Sequence, residues 1–99
     1  MFNKCKWTDK ALEDLLIIQE FIAQDNPKAS VDITKKIVLT VVEQLSKFQN
    51  IGKAGRVNGT RELIIPNTSY IGVYWVKLNN VEVLRILHTS MKWPDNFDD

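Results

Sequence analysis

The sequence predicts an α+β fold, in which an N-terminal strand and a long helical hairpin pack on one face of a mainly antiparallel sheet. The second half of the chain holds three consecutive strand-forming runs, 61–65, 71–77 and 81–88. Proline and asparagine residues, which favour turns, separate these runs. The first half holds two long stretches, 9–24 and 27–48, whose apolar residues recur at helical spacing.

The N-terminal segment alternates as a short strand, with Cys5 and Trp7 on one side and Lys4 and Lys6 on the other. Because so short a strand is not stable alone, we expect it to join the later sheet. We also expect Cys5 to be a buried, small apolar residue rather than a reactive thiol.

Both helices carry start signals. Thr8 is a suitable N-cap for the first helix, where the negative charge of Asp9 interacts favourably with the helix dipole. Asn26 and Pro27 suit the N-cap and the first position of the second helix. The first helix has more large hydrophobic residues than one buried stripe needs, so we expect it to be covered on more than one side.

The second helix has a predicted length of roughly 30 Å at ~1.5 Å per residue, which is longer than the sheet beneath it. Two of its apolar residues, Val38 and Val42, lie partly off the main apolar face. They either pack against the first helix or stay exposed for a partner, and the pattern leaves both outcomes open.

Length and composition are those of a single soluble domain. The chain has 99 residues, of which 44% are apolar and 25% charged. Its one cysteine excludes a disulfide framework and favours a reducing, cytoplasmic setting. No signal peptide or apolar run of ~20 residues is present, so no membrane partner is expected. We predict one domain, 1–94, followed by an acidic, solvated tail, 95–99.

The charge is unevenly distributed, although its net value is only +1. Residues 53–92 include six basic and two acidic residues, and the tail adds three aspartates. This distribution predicts a positively charged sheet.

Most kinds of chemistry are excluded by residue type. One histidine and one cysteine make no metal-ligand cluster, and no nucleophile-elbow sequence is present. The glycines of the loop 49–59 match neither a P-loop nor a dinucleotide fingerprint. What remains is a group of cations with one histidine on or near the predicted strands: Arg61, Arg85, His88 and Lys92. Guanidinium groups bind phosphate and histidine titrates near neutral pH, which suits cleavage of an RNA phosphodiester by its 2′-hydroxyl.

Structural roles for the same residues are also compatible with the pattern. Arg61 could bridge to a carboxylate, and His88 could be a hydrogen-bonded core histidine. On a regular strand Arg85 and His88 point to opposite faces. They share a site only if a bulge or the end of the strand lies between them.

Two motifs resemble the RelE/ParE superfamily of toxins from bacterial type II toxin–antitoxin modules. They are Gly-Thr-Arg-Glu-Leu at 59–63 and Leu-Arg-Ile-Leu-His at 84–88. The resemblance covers nearly the whole chain, and further matching positions are Trp7, Thr8, Asp25, Asn26, Pro27, Gly55, Arg56, Tyr70, Tyr74, Trp93 and Pro94.

The resemblance implies a small cytoplasmic toxin, of the kind used in plasmid stabilisation, that arrests growth until a cognate antitoxin wraps it in a hetero-oligomer. It implies one of two targets. RelE-like members cut mRNA on the ribosome without a metal or other cofactor, and ParE-like members inhibit DNA gyrase and have no established active site.

In the RelE-like case the resemblance assigns catalytic roles to Arg61, Arg85 and His88, with the arginines on the phosphate and the histidine as acid or base. Lys53, Arg56 and Lys92 are then expected to bind substrate. We therefore expect a metal-independent endoribonuclease, or mRNA interferase, with a gyrase inhibitor without nuclease activity as the alternative. A non-toxic binding module is the third hypothesis.

Three features favour the gyrase alternative. Met91 stands where relatives often carry a basic or polar residue, and the net charge is low for a toxin directed at the ribosome. The long helical hairpin is typical of ParE-like members.

Overall fold

The computed structural model describes residues 4–94 and Phe97. Within these residues two helices cover one face of a five-stranded sheet, which confirms the predicted fold class. Asp95, Asp98 and Asp99 of the predicted acidic tail lie outside the described residues. In chain order the elements are β1 Cys5–Trp7, α1 Asp9–Ala23, α2 Pro27–Lys47, β2 Lys53–Ala54, β3 Arg61–Ile64, β4 Tyr70–Lys77 and β5 Asn80–His88.

The helices begin where the capping residues predict. The side chain of Thr8 accepts a hydrogen bond from the backbone N–H of Ala11, and that of Asn26 accepts one from Ala29. The hydroxyl of Thr8 also donates to the carbonyl of Leu84, at 2.9 Å. Thr8 therefore starts α1 and ties it to β5.

The sheet has the strand order β1-β5-β4-β3-β2. The N-terminal strand joins it as expected, pairing in parallel with residues 81–83 of β5, and the other pairs are antiparallel. The expectation that 49–59 is all loop is wrong at one point, because Lys53 and Ala54 form β2 against β3. A two-residue strand is too short to show an alternating pattern.

The core lies between the helices and the helix-facing side of the sheet. It contains Ala11, Leu15, Ile18, Ile37, Val41, Leu45, Leu63, Ile65, Tyr74, Val81, Val83 and Ile86. Cys5 packs against this core, and burial raises the pKa of its thiol. Val38 also packs against the core, whereas Val42 is exposed.

The expectation that α1 is covered on more than one side is wrong for this chain by itself. Leu12, Leu16, Ile17 and Phe21 are 48–66% exposed. The sheet and α2 cover the row formed by Ala11, Leu15, Ile18 and Ile22, of which Ile22 is only partly buried. The four exposed side chains lie in two pairs on opposite flanks of that row, Leu12 with Leu16 and Ile17 with Phe21, and both pairs remain exposed in the described chain.

The pairing of β4 with β5 contains a bulge. Arg85 lies opposite Val73 and Val83 lies opposite Tyr74, which leaves Leu84 as the extra residue. The bulge precedes Arg85 and does not separate it from His88. The Arg85 side chain therefore leaves the backbone on the same side of the sheet as its register partner Val73. This side faces away from the helices, and we call it the outer face.

Candidate functional site

Arg61 lies on the helix-facing side of the sheet, where it binds backbone carbonyls. Its Nη1 donates to the carbonyl oxygens of Asn50, at 3.2 Å, and Gly52, at 2.8 Å. Its register partner Tyr74 is fully buried, and the Tyr74 hydroxyl accepts a 2.9 Å hydrogen bond from the N–H of Gly52. Arg61 and Tyr74 thus fasten the segment after α2 to the sheet.

Burial raises the pKa of Tyr74 above its ordinary value, and the Gly52 hydrogen bond and the nearby Arg61 charge only partly offset that rise. A Cβ on residue 52 would lie 2.7 Å from the Tyr74 hydroxyl and 2.9 Å from the carbonyl of Glu62. Glycine is therefore required for this close approach.

Arg56 lies over the outer face of the sheet, between a carboxylate and an indole. Its Nε and Nη2 lie 3.2 and 3.3 Å from the carboxylate of Glu62, whose side chain is only 2% exposed. Its backbone N–H donates to the same carboxylate at 2.7 Å. Its Cζ lies 3.5 Å from the ring centroid of Trp93, a cation–π contact.

The C-terminal segment covers this part of the outer face. Trp93 and Phe97 pack on an apolar cluster formed by Ile71, Val73 and Leu87. The indole N–H of Trp93 donates to the carbonyl of His88 at 3.3 Å. Arg56 is therefore held by Glu62 from below and by this covering segment from the side.

Arg85 is bound to the first helix. Its Nε and Nη2 lie 2.7 and 3.0 Å from the two carboxylate oxygens of Asp14 on α1. The same carboxylate accepts the backbone N–H of Ile86 at 3.0 Å. Because β1 pairs only with residues 81–83, the rest of β5 is an open edge, and Asp14 takes the place of a strand partner there.

His88 ends β5 beside a groove. Its Nδ1 lies 3.1 Å from the backbone nitrogen and 2.7 Å from the hydroxyl of Ser90, and its ring meets Tyr70 edge-to-face at 5.4 Å. The groove has a volume of about 480 Å³ and lies between α1 and the end of β5. Ile17, Phe21, Tyr70 and Met91 give it an apolar lining, and Asp14, Arg85 and His88 are its charged or titratable members.

Of the six predicted site residues, the structure brings only Arg85 and His88 into one groove. Arg61 faces the helices two strands away, and Arg56 lies under Trp93. Lys53 is exposed on the edge strand β2, and Lys92 is exposed after β5. The three guanidinium groups do not converge on a common cleft, and the catalytic assignment remains a prediction.

Sequence reasoning missed the acidic partners and an outer-face cluster. Asp14 lies 71 residues from Arg85 in the chain, and its one local signal is its place at the border of the apolar row of α1. Lys6 and Lys77 lie on the outer face with Trp75. The alternating sequence showed that Lys4 and Lys6 share one side of their strand, but it could not show which face of the sheet that side belongs to. Among the described residues, no three potential metal ligands lie together and no helix is long and apolar enough to cross a membrane.

Comparison with known proteins gives consistent relatives. Residues 5–93 match the family model described as ParE toxin of type II toxin–antitoxin system, parDE. Y4kP, a candidate toxin of Sinorhizobium fredii, is 33% identical over 92 residues, which cover 93% of this chain and 94% of that protein.

Two solved structures resemble the fold. One is of the chromosomal ParDE system from P. aeruginosa, with a TM-score of 0.81 and 27% identity, covering 88% of this chain and 96% of that chain. The other is the toxin–antitoxin complex RelBE2 from Mycobacterium tuberculosis, with a TM-score of 0.61 and 22% identity, covering 89% and 92%. The second likeness concerns the fold alone.

Proposed function

Because this chain belongs to the ParE toxin family of type II toxin–antitoxin systems, we propose that it arrests growth by inhibiting DNA gyrase. A cognate antitoxin neutralises it by forming a hetero-oligomer. On the sequence alone, gyrase inhibition is the alternative to mRNA cleavage. We now prefer gyrase inhibition, for the following reason.

The observation that supports this choice is the engagement of all three arginines. Metal-independent cleavage of RNA needs cations aimed at the phosphate and a positioned acid and base. Arg61 holds backbone carbonyls, Arg56 neutralises buried Glu62, and Arg85 neutralises Asp14. Turning any of them to a phosphate leaves a carbonyl or carboxylate unsatisfied, at a cost of about 1–3 kcal/mol. A toxin that acts by binding a protein target needs no such rearrangement.

Antitoxin binding is supported by the uncovered surface of α1. Leu12, Leu16, Ile17 and Phe21 give it four large exposed apolar side chains on one helix. Surfaces of this kind mark protein–protein contacts in soluble proteins. Ile17 and Phe21 also line the groove that ends at His88, so the apolar surface on that flank of α1 continues to the edge of the sheet.

The test is a parallel assay of both targets with full-length protein made by cell-free synthesis. We expect loss of plasmid supercoiling by purified gyrase, restored by the product of the small open reading frame beside the toxin gene. A defined mRNA in a translating extract should stay intact under the same conditions. Cleavage of that mRNA with unchanged supercoiling would instead support the RelE-like function.

A further inference from the structure

The half of the outer face around β1 and the start of β5, away from Trp93 and Phe97, carries three lysines. Cys5 and Trp7 pack toward the helices, so the alternate residues Lys4 and Lys6 of the same segment lie on the outer face. Lys77 ends β4 on that face, and all three line one depression of about 410 Å³. We call Lys4, Lys6 and Lys77 the lysine patch.

One member of the lysine patch, Lys77, is held in place by its neighbours. The indole N–H of Trp75 donates to the carboxylate of Glu82 at 2.7 Å, which fixes the ring. The Nζ of Lys77 lies 3.8 Å from the centroid of that ring. Glu82 pairs in register with Lys6 on one side and Trp75 on the other, and it lines the same depression as the three lysines.

We propose that the lysine patch binds the phosphate backbone of duplex DNA without regard to sequence. Lysine ammonium groups on an open surface neutralise phosphates and release counterions, which supplies non-specific affinity for nucleic acid. The inference does not rest on the identity of the toxin's target.

Two features favour a duplex over other polyanions. Proteins that bind single strands stack bases on aromatic rings, and here the Trp75 ring is already stacked by Lys77 and its N–H is bound by Glu82. A peptide partner gains most of its affinity from a few large side chains seated in well-packed pockets, and the apolar residue that lines this depression, Val81, is fully buried. Exposed ammonium groups on the sheet surface remain, which suits the regular phosphates of a duplex.

The test measures anisotropy of a labelled duplex titrated with the full-length protein, without gyrase, over a range of salt concentrations. Three phosphate contacts predict a slope of log K against log salt of about −2.7. Changing Lys4, Lys6 and Lys77 to Gln together should weaken binding roughly tenfold or more at low salt and remove most of the slope. The matched control changes Lys28, Lys35 and Lys47 of α2, which are also exposed, to Gln and should retain the affinity.

A second variant should raise the affinity for DNA, and misfolding could not explain a gain in affinity. Glu82→Gln removes the one negative charge of the patch while its amide oxygen can still accept the Trp75 N–H, so DNA binding should become tighter. The proposal is overturned if the triple variant binds as the wild type does, if the control loses as much affinity, or if Glu82→Gln binds no tighter. Competition by single-stranded RNA or polyglutamate equal to that of unlabelled duplex also overturns it. Because gyrase is absent from this assay, failure here and failure of the gyrase proposal are separate results.

Discussion

Arg85 and Asp14 form the contact that joins α1 to the open edge of β5, and it gives a prediction at the scale of single residues. The two side chains are 25% and 11% exposed, so their bidentate pairing is largely shielded from water. Arg85→Ala leaves the carboxylate without its guanidinium, and we expect the free energy of unfolding to fall by about 2 kcal/mol. Urea denaturation of the full-length protein measures this.

The matched comparison is a double-mutant cycle with Asp14→Ala. If the pair is the main interaction of both residues, the double variant loses clearly less stability than the two single variants added together. Additive losses would contradict this. Arg85→Ala is therefore a poor probe of catalysis, because it changes the fold as well as the groove.

Tyr74 supplies a prediction of pH dependence. Burial raises the pKa of its hydroxyl in the folded chain, so on raising the pH the unfolded chain loses this proton first, near its ordinary pKa of about 10. Between the unfolded and the folded pKa the native state binds more protons, so this contribution to stability, full below pH 10, is lost as the pH rises further. We expect stability to fall above pH 10.

The measurement compares Tyr74→Phe with the wild type by urea unfolding at pH 9 and at pH 11. At pH 9 the variant should be less stable by about 1 kcal/mol, because the N–H of Gly52 loses its acceptor. At pH 11 the difference should shrink or change sign. Since lysines titrate in the same range, only the difference between the two proteins is informative, and a difference that stays constant would contradict the assignment.

At the scale of elements, local signals were sufficient for the helices and the three long strands but not for strand pairing. Thr8 and Asn26 cap their helices through side-chain oxygens, an interaction that depends only on nearby sequence. The two-residue β2 and the bulge at Leu84 depend on distant partners, Glu62 and Val73 among them. One chain's pattern therefore does not specify them.

The exposed surface of α1 gives the prediction that belongs to this scale. Ile17→Ser with Phe21→Ser should leave the free energy of unfolding within about 0.5 kcal/mol, because both side chains are more than half exposed. Affinity for the antitoxin should fall roughly tenfold or more, since two large apolar anchors are lost. Calorimetric titration with the antitoxin measures it.

The control for that experiment is Leu78→Ser, in the β4–β5 turn. Its side chain is 94% exposed and apolar, and it lies in the turn that precedes β5, whereas the groove beside α1 lies at the other end of β5, at His88. Antitoxin affinity should be unchanged in this variant. Equal affinity in the wild type and the α1 double variant would show that the antitoxin binds elsewhere.

For the whole molecule, the candidate site was harder to predict than the fold. The sequence places Arg61 and Arg85 on strands correctly, yet Arg61 faces the helices and Arg85 turns around the sheet edge to Asp14. Which face a strand residue occupies depends on the register of the entire sheet. The bulge shifts that register by one residue just before Arg85. Residue type alone therefore could not distinguish structural cations from substrate-binding ones.

The same distinction leads to a prediction about toxicity. His88 is half-buried, and its ring contacts Ser90 and Tyr70 at the rim of the groove. If the protein acts on gyrase by binding, His88→Ala should still arrest growth and still inhibit supercoiling, within roughly threefold of the wild type. If it acts by proton transfer in RNA cleavage, loss of the histidine costs about 10²–10⁴-fold in rate, and growth arrest disappears.

The experiment induces the wild type, His88→Ala and the neighbouring exposed-residue control Thr89→Ala from a tightly repressed promoter and counts surviving cells. Thermal melting of each protein separates loss of function from loss of fold. The binding mechanism is contradicted if His88→Ala no longer arrests growth while it keeps the wild-type melting temperature and Thr89→Ala stays toxic. The variant would then be folded with an unchanged α1 surface, and toxicity would depend on the imidazole at the end of β5.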